Sequence, residues 1–144
     1  MIVVDVNVLL YAYNPSAEQH KKARGWLEDA LSGHEPVALS WVVILAFLRL
    51  STNRRVFPRP LSRAEAALII SKWLERSQAV VLNPSERHWS ILQETMSAGK
   101  ATGPLVTDAH LAALAIEHGA TLYTTDRDFA RFPKLKFKNP IEEP

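Results

Sequence analysis

Three stretches carry acids where their surroundings call for apolar side chains. The chain opens Ile2-Val3-Val4-Asp5-Val6-Asn7, so Asp5 directly follows a wholly apolar, β-branched run. Tyr123-Thr124-Thr125-Asp126-Arg127-Asp128 ends a second β-type run in the same way. A third acid, Asp108, lies in Val106-Thr107-Asp108-Ala109-His110, at the start of an Ala/Leu-rich helical stretch. There the helix macrodipole favours an anion. Charges are rarely buried unless paired or bound to metal. Carboxylates that converge repel one another unless a proton or a cation intervenes. Oxygen-only donors suit Mg²⁺ or Mn²⁺, held by a few carboxylates, water and substrate phosphate. Such a site can activate water and stabilise the charge that develops in phosphodiester hydrolysis. Each acid also has a plainer explanation. Asp5 could accept hydrogen bonds from loop amides, Asp108 could be an N-cap or first-turn acid, and Asp126 and Asp128 could be turn residues. Their joint placement at neighbouring strand ends favours the functional explanation.

Other chemistries find less support. There is no cysteine, which excludes disulfides, cysteine nucleophiles and thiolate zinc sites. Ser and Thr lack a G-x-S-x-G elbow. Gly99-Lys100-Ala101-Thr102-Gly103 lacks the spacing and the preceding strand of a phosphate loop. His110 and His118 are more than two helical turns apart and cannot chelate one ion by themselves. His20, His34 and His88 read as surface residues. Trp41, Trp73 and Trp89 lie in apolar helical patterns and read as core or partner-facing.

The elements that must position the acids alternate. Residues 2–4 read as a strand buried on both faces. Residues 17–31 are helical, with Ala23, Trp26, Leu27, Ala30 and Leu31 on one side and Gly33 as the stop. Residues 37–39 form a second strand, and Ser40 caps a helix over 41–50. Pro58 and Pro60 make 56–60 a loop. Ser62 and Glu65 fit a capping box for a helix reaching about residue 76. A strand at 79–82, a helix after Asn83-Pro84-Ser85 to about residue 98, and a helix over 107–118 stopped by Gly119 follow. A strand at 121–124, a short helix at 126–132 and an edge strand at 135–137 complete the order. Strands separated by helices imply βαβ units and a mostly parallel sheet. Ligands then bind beyond the carboxyl ends of the strands, which places Asp5 and Asp126 on one edge. Asp108 joins them if its helix starts over that edge.

At 144 residues the chain is expected to be one domain, 1–144, able to bury a core without staples. A composition 47% hydrophobic and 22% charged excludes a disordered chain. No apolar run approaches the ~20 residues of a membrane span, and the N-terminus lacks a basic segment of signal-peptide type. A cytoplasmic protein is expected. The net charge is only +2, but it is unevenly spread. Arg49, Arg54, Arg55, Arg59 and Arg63 fall in an acid-free stretch between Glu35 and Glu65. Arg131, Lys134, Lys136 and Lys138 fall in another, over 129–141. These are candidate polyanion contacts, or ordinary solvated faces.

V-V-D-V-N-V-L-L-Y, T-D-A-H-L-A-A-L-A-I-E-H-G-A and Y-T-T-D-R-D-F-A-R-F, with the central F-L-R-L-S-T-N-R-R-V-F and the terminal N-P, resemble a PIN domain. More narrowly they resemble the VapC toxins of type II toxin–antitoxin systems, in the branch abundant in mycobacteria. The resemblance covers essentially the whole chain. It implies a three-layer α/β/α sandwich around the parallel sheet and Mg²⁺- or Mn²⁺-dependent endoribonuclease activity. It also implies a homodimer and inhibition by a VapB-like antitoxin. By motif match Asp5, Asp108 and Asp126 fall on three of the family's acidic positions, and Asp128 is a further acid beside them. Asn7 and Thr125 match polar residues that orient the site. One departure stands out: many PIN domains carry a glutamate where this chain has Ala46, and residues 41–50 contain no carboxylate. That opens the choice between one metal ion and two.

The leading expectation is therefore an RNA-cleaving toxin. Its phosphate contacts would come from Arg49, Arg54, Arg55, Lys134 and Lys136, and tRNA or rRNA would be its substrate. The alternative is a catalytically weak PIN domain that binds RNA or a partner without turnover. A phosphatase-like hydrolase is disfavoured because Val6 and Asn7 follow Asp5, leaving no D-x-D nucleophile pair. The Trp-, Phe- and Leu-rich region 41–73, with its arginines, suits an antitoxin interface or simply the core.

Overall fold

Every strand of the sheet runs parallel, in the order β3-β2-β1-β4-β5. The structure, a computed structural model, describes residues 1–142. Strand β1 is Ile2–Val4, β2 is Val37–Ser40, β3 is Ala79–Leu82, β4 is Thr121–Tyr123 and β5 is Lys136–Lys138. The central strands β1 and β2 are buried at every position. An all-parallel sheet requires this, because helices cover both of its faces. Strands β3 and β5 form the edges and carry exposed positions.

The connections explain the layers. From β1 the chain passes through α1 (Val6–Tyr13) and α2 (His20–Ser32) to β2, then through α3 (Trp41–Ser51) and α4 (Arg63–Glu75) to β3. Both crossovers move in one direction along the sheet. The chain then returns through α5 (His88–Gly99) and α6 (Leu105–Glu117) to β4, on the far side of β1. Right-handed crossovers in opposite directions place their helices on opposite faces. Consistently, α1 packs on α2 and α3, α3 packs on α4, and α5 packs on α6. The result is the expected three-layer α/β/α sandwich.

Local chemistry fixes most of these boundaries. Ser40 caps α3 by accepting from the Val43 amide at 3.3 Å. The capping box of α4 is present, with Ser62 and Glu65 exchanging bonds of 3.0 Å. Gly119 ends α6 with φ +63°, a left-handed conformation that costs glycine least. An aromatic cluster ties three helices together. The ring of Phe47 lies 4.8 Å from Trp73 and 5.8 Å from Tyr13, and Trp73 Nε1 donates to the Tyr13 hydroxyl at 2.8 Å.

Two expectations need correction. Residues 6–13 were not expected to be helical, yet α1 starts immediately after β1. Its buried Val8, Leu9 and Ala12 lie on one helical face, and the β-branched valines hid that period. His88 is not a surface residue. It is buried between α5 and α6, where Nδ1 lies 3.0 Å from Glu117 Oε2 and Nε2 lies 2.9 Å from His110 Nδ1. The pairing of α5 with α6, invisible to local sequence, creates that environment. Trp41 and Trp89 are exposed, and of the three tryptophans read together only Trp73 joins the core. Among the described residues, no helix is long and apolar enough to cross a membrane.

Candidate active site

The chain leaves β1 and β4 in opposite directions across the sheet, so a crevice opens at the carboxyl ends of these neighbours. Asp5 leaves β1 there and serves as the N-cap of α1. Its Oδ1 accepts from the Val6 amide at 2.8 Å, and its Oδ2 accepts from the Thr124 hydroxyl at 2.7 Å. The side chain is buried, and burial pushes its pKa above the ordinary carboxylate value, with the nearby charge of Asp126 adding to the rise. The bonds from Thr124 and Val6 oppose that rise and hold the ionised form in place.

Thr124 is the hub of the site. Besides donating to Asp5, its oxygen accepts from the Asp126 amide at 3.0 Å and from Asn7 Nδ2 at 3.4 Å. Asn7 Oδ1 in turn accepts from the Thr125 amide at 3.5 Å. Thus Asn7 links α1 to the segment after β4, and the contact to Asp5 comes from Thr124 rather than Thr125. Asp126 Oδ1 accepts from the Asp128 amide at 2.9 Å and caps a 3-10 turn, Arg127–Arg131. The turn explanation and the site explanation for Asp126 therefore hold together. Asp128 is exposed beside them.

Asp108 reaches the same edge from the first turn of α6. Its pKa is pushed up to about 6, first by partial burial and then by the charges of Asp5, Asp126 and Asp128. Arg131 acts on it in the opposite sense. The acids from β1, α6 and the β4 exit therefore share one electrostatic field, in which like charges favour the protonated form of a neighbour. Among the described residues, no three His, Cys, Asp or Glu side chains form a ready-made metal cage. The donor set still fits Mg²⁺ or Mn²⁺, because such ions take one or two carboxylates and complete their shells with water and substrate oxygens.

The basic candidates are dispersed. Arg49 lies about 12 Å along α3 from its first residue at 1.5 Å per residue, and Arg54 and Arg55 lie beyond it, all exposed. Lys134 Nζ lies 3.7 Å from Glu94, and Lys136 stands exposed on the edge strand β5. A cavity of about 400 Å³ opens beside the acids, lined by Thr124, Thr125, Asp126, Arg127 and Lys138 among others. A larger groove, about 810 Å³, runs along α5 between Arg87 and Lys134 and contains none of the acids. Helix α3 carries no carboxylate, and Ala46 is half-buried on it. The residue that sequence inspection missed is Thr124. It was legible only as part of the T-T-D run.

The PIN domain family matches residues 2–135. The chain is 46% identical over 140 residues to Ribonuclease VapC37 of Mycobacterium tuberculosis, covering 97% of each. Among solved structures it is similar to VapBC2 from Rickettsia felis bound to a promoter DNA fragment, with TM-score 0.71, 21% identity, and 96% and 98% of the two chains covered. It is also similar to VapC20 of Mycobacterium tuberculosis, described as a sarcin–ricin loop cleaving toxin, with TM-score 0.66, 18% identity, and 90% and 93% covered.

Proposed function

The chain belongs to the PIN domain family, and on that premise we propose that it is a VapC-type toxin, a divalent-metal-dependent endoribonuclease neutralised by a VapB-like antitoxin. One observation supports this: Asp5, Asp108 and Asp126 lie where β1, β4 and the first turn of α6 meet, and partial burial together with the charges of Asp5 and Asp126 pushes the pKa of Asp108 up to about 6. Relatives that cover nearly the whole chain bear ribonuclease names, which does not favour a binding-only module. The whole chain, 1–144, acts as a single domain in the cytoplasm, as a homodimer.

Asp5, Asp108 and Asp126 would hold the cation, Mg²⁺ or Mn²⁺, with Asp128 beside them. When bound, the ion supplies charge neutralisation at the phosphate and a reactive water near neutral pH. The protein's own groups prepare that chemistry. The Val6 amide and the Thr124 hydroxyl each bond one oxygen of the Asp5 carboxylate and fix its orientation. Asn7 and the Thr125 amide lock the β4 exit against α1. Asp108, with its pKa raised to about 6, would hold a cation in its ionised form, so affinity for the ion would rise with pH through that value. RNA lies across this edge, with tRNA or rRNA as the substrate class. Arg49, Arg54, Arg55, Lys134 and Lys136 serve as outlying phosphate contacts, and a single ion suits a helix α3 without an acid at Ala46.

The test is cleavage of a total RNA pool by the purified chain in Mg²⁺, in Mn²⁺ and in EDTA, with Asp5→Asn as the control. Discrete fragments that require metal and vanish in Asp5→Asn are expected. Cleavage that survives in a folded Asp5→Asn protein would show that the acids were wrongly assigned.

A further inference from the structure

Three strands of the sheet end level with one another. The β1–β4 ladder pairs Val4 with Tyr123, and the β4–β5 ladder pairs Tyr123 with Lys138. Each ladder continues by one further bond. The Asp5 amide donates to the Tyr123 carbonyl at 3.0 Å, and the Thr124 amide donates to the Lys138 carbonyl at 2.9 Å. Asp5, Thr124 and Asn139 therefore leave the sheet at the same height and side by side, at about 4.8 Å per strand. Asp5 and Thr124 belong to the acidic edge. Asn139 is the next position in that row, and the metal chemistry proposed above does not use it.

The Asn139 side chain has a fixed orientation. Its Oδ1 accepts from the Ile141 amide at 3.1 Å. A backbone N–H only donates, so the bonded atom is the oxygen, and the Nδ2 group keeps both of its donors. Among the described residues those donors have no acceptor. The terminal Asn-Pro of the sequence thus presents a hydrogen-bond donor at the edge. Lys138, one residue earlier, is exposed at the end of β5. Among the described residues its ammonium makes no ion pair and no hydrogen bond, whereas Lys134 faces Glu94. Both side chains belong to the cavity of about 400 Å³ that also reaches Thr124, Thr125 and Asp126. Arg127 on the same wall lies 3.3 Å from Glu142, so it offsets that acid and leaves Lys138 as the unspent cation. A lysine and an amide donor without acceptors suit a phosphate oxygen. The volume lies near the lower end of ligand-sized pockets, roughly 300–1,000 Å³, which admits one splayed nucleotide and not a duplex.

We infer that this cavity is a subsite for one nucleotide of single-stranded RNA beside the cut, its phosphate held by the Lys138 ammonium and the Asn139 Nδ2 donors. This rests on the nuclease function proposed above. Lys138 supplies attraction and Asn139 supplies direction. RNA held at the β5 exit crosses the end of β4 to reach Asp5, so the subsite sets the line along which the chain lies over the acids.

The experiment uses the full chain as parent, Lys138→Gln, Lys138→Arg and Asn139→Asp. The aspartate keeps the acceptor for the Ile141 amide and removes the donors. Lys72→Gln, an exposed lysine on α4 at the opposite end of the sheet, controls for loss of one charge. Binding of a mixed-sequence single-stranded RNA hexanucleotide pool is followed in EDTA by fluorescence anisotropy across a salt series. The Nδ2 proton pair of Asn139, assigned by its loss in Asn139→Asp, is followed by NMR in the parent during the same titration. We expect that pair to shift and saturate with the anisotropy curve, and not to move with a blunt RNA duplex. Lys138→Gln should lower the salt slope by about 0.7, the value of one single-strand phosphate contact, while Lys138→Arg and Lys72→Gln leave it near that of the parent. Asn139→Asp should weaken binding about 10-fold, the scale of one charge-assisted hydrogen bond. In Mg²⁺, both Lys138→Gln and Asn139→Asp should raise KM for RNA more than they lower kcat, because they remove binding away from the reacting atoms. Unmoved Asn139 protons at saturating RNA, an equal shift with duplex, a Lys138→Gln slope no different from Lys72→Gln, or an undetectable RNA complex each overturns the subsite. If the binding signatures hold while the parent does not cleave, the nuclease function fails and the subsite stands. If the parent cleaves and both variants match its kcat/KM, the subsite alone is removed.

Discussion

Replacing Asp108 by Asn should stabilise the metal-free protein, and the size of the effect follows from the site. An acid whose pKa is higher in the folded than in the unfolded state binds more protons when folded. Its contribution to stability is therefore lost as pH rises, here from the ordinary value of 3.8 to about 6. That displacement corresponds to about 3 kcal/mol at 1.36 kcal/mol per tenfold change. Asp108 is only half-buried, and solvent screens a partly exposed charge, so roughly 1–1.5 kcal/mol survives. For a chain this long, that is a rise in Tm of about 3–5 °C. The assay is thermal unfolding of parent and Asp108→Asn in EDTA at pH 4, 5, 6 and 7.5. The two proteins should converge at pH 4 and separate progressively up to pH 7.5. Adding Mn²⁺ should raise the Tm of the parent more than that of the variant, because only the parent presents the carboxylate. A variant less stable than the parent at pH 7.5, or a difference independent of pH, would refute the picture of Asp108 as a partly buried carboxylate flanked by like charges.

Two further substitutions probe the scaffold around the acids. Thr124→Val removes the hydroxyl that donates to Asp5 and accepts from the Asp126 amide. It should cost about 10–100-fold in Mn²⁺ affinity, the usual scale for groups that orient ligands, as read by calorimetry, and an unchanged affinity would remove Thr124 from the site. Gly99→Ala places a methyl group 2.5 Å from the Phe132 ring, so urea unfolding should show a loss of about 1–3 kcal/mol. A neutral effect would show that the α5 end yields easily.

Much of this protein was legible because the signals are local. The apolar run before Asp5, the Ser62/Glu65 capping box and Gly119 act through neighbours a few residues away. Strand–helix alternation then implied a parallel sheet, and a parallel sheet implies a site at its carboxyl edge. From these alone Asp5 and Asp126 could be placed side by side, with Asp108 joining them on the condition that its helix starts over the same edge.

What sequence left open depends on partners distant in the chain. α1 was hidden because valines serve strands and helices alike, and tertiary burial of Val8, Leu9 and Ala12 decided between them. His88 took its place from Glu117 and His110 on α6, 29 and 22 residues away. Thr124 gained its role from Asp5, 119 residues away, and Arg131 found its hydrogen-bond acceptor in the Gly99 carbonyl, 32 residues away. Sequence alone determined which acids the chain carries and the order of elements that presents them. Only the tertiary structure decided which hydroxyl and amides hold those acids, because burial and hydrogen-bond satisfaction depend on the packing of the whole chain.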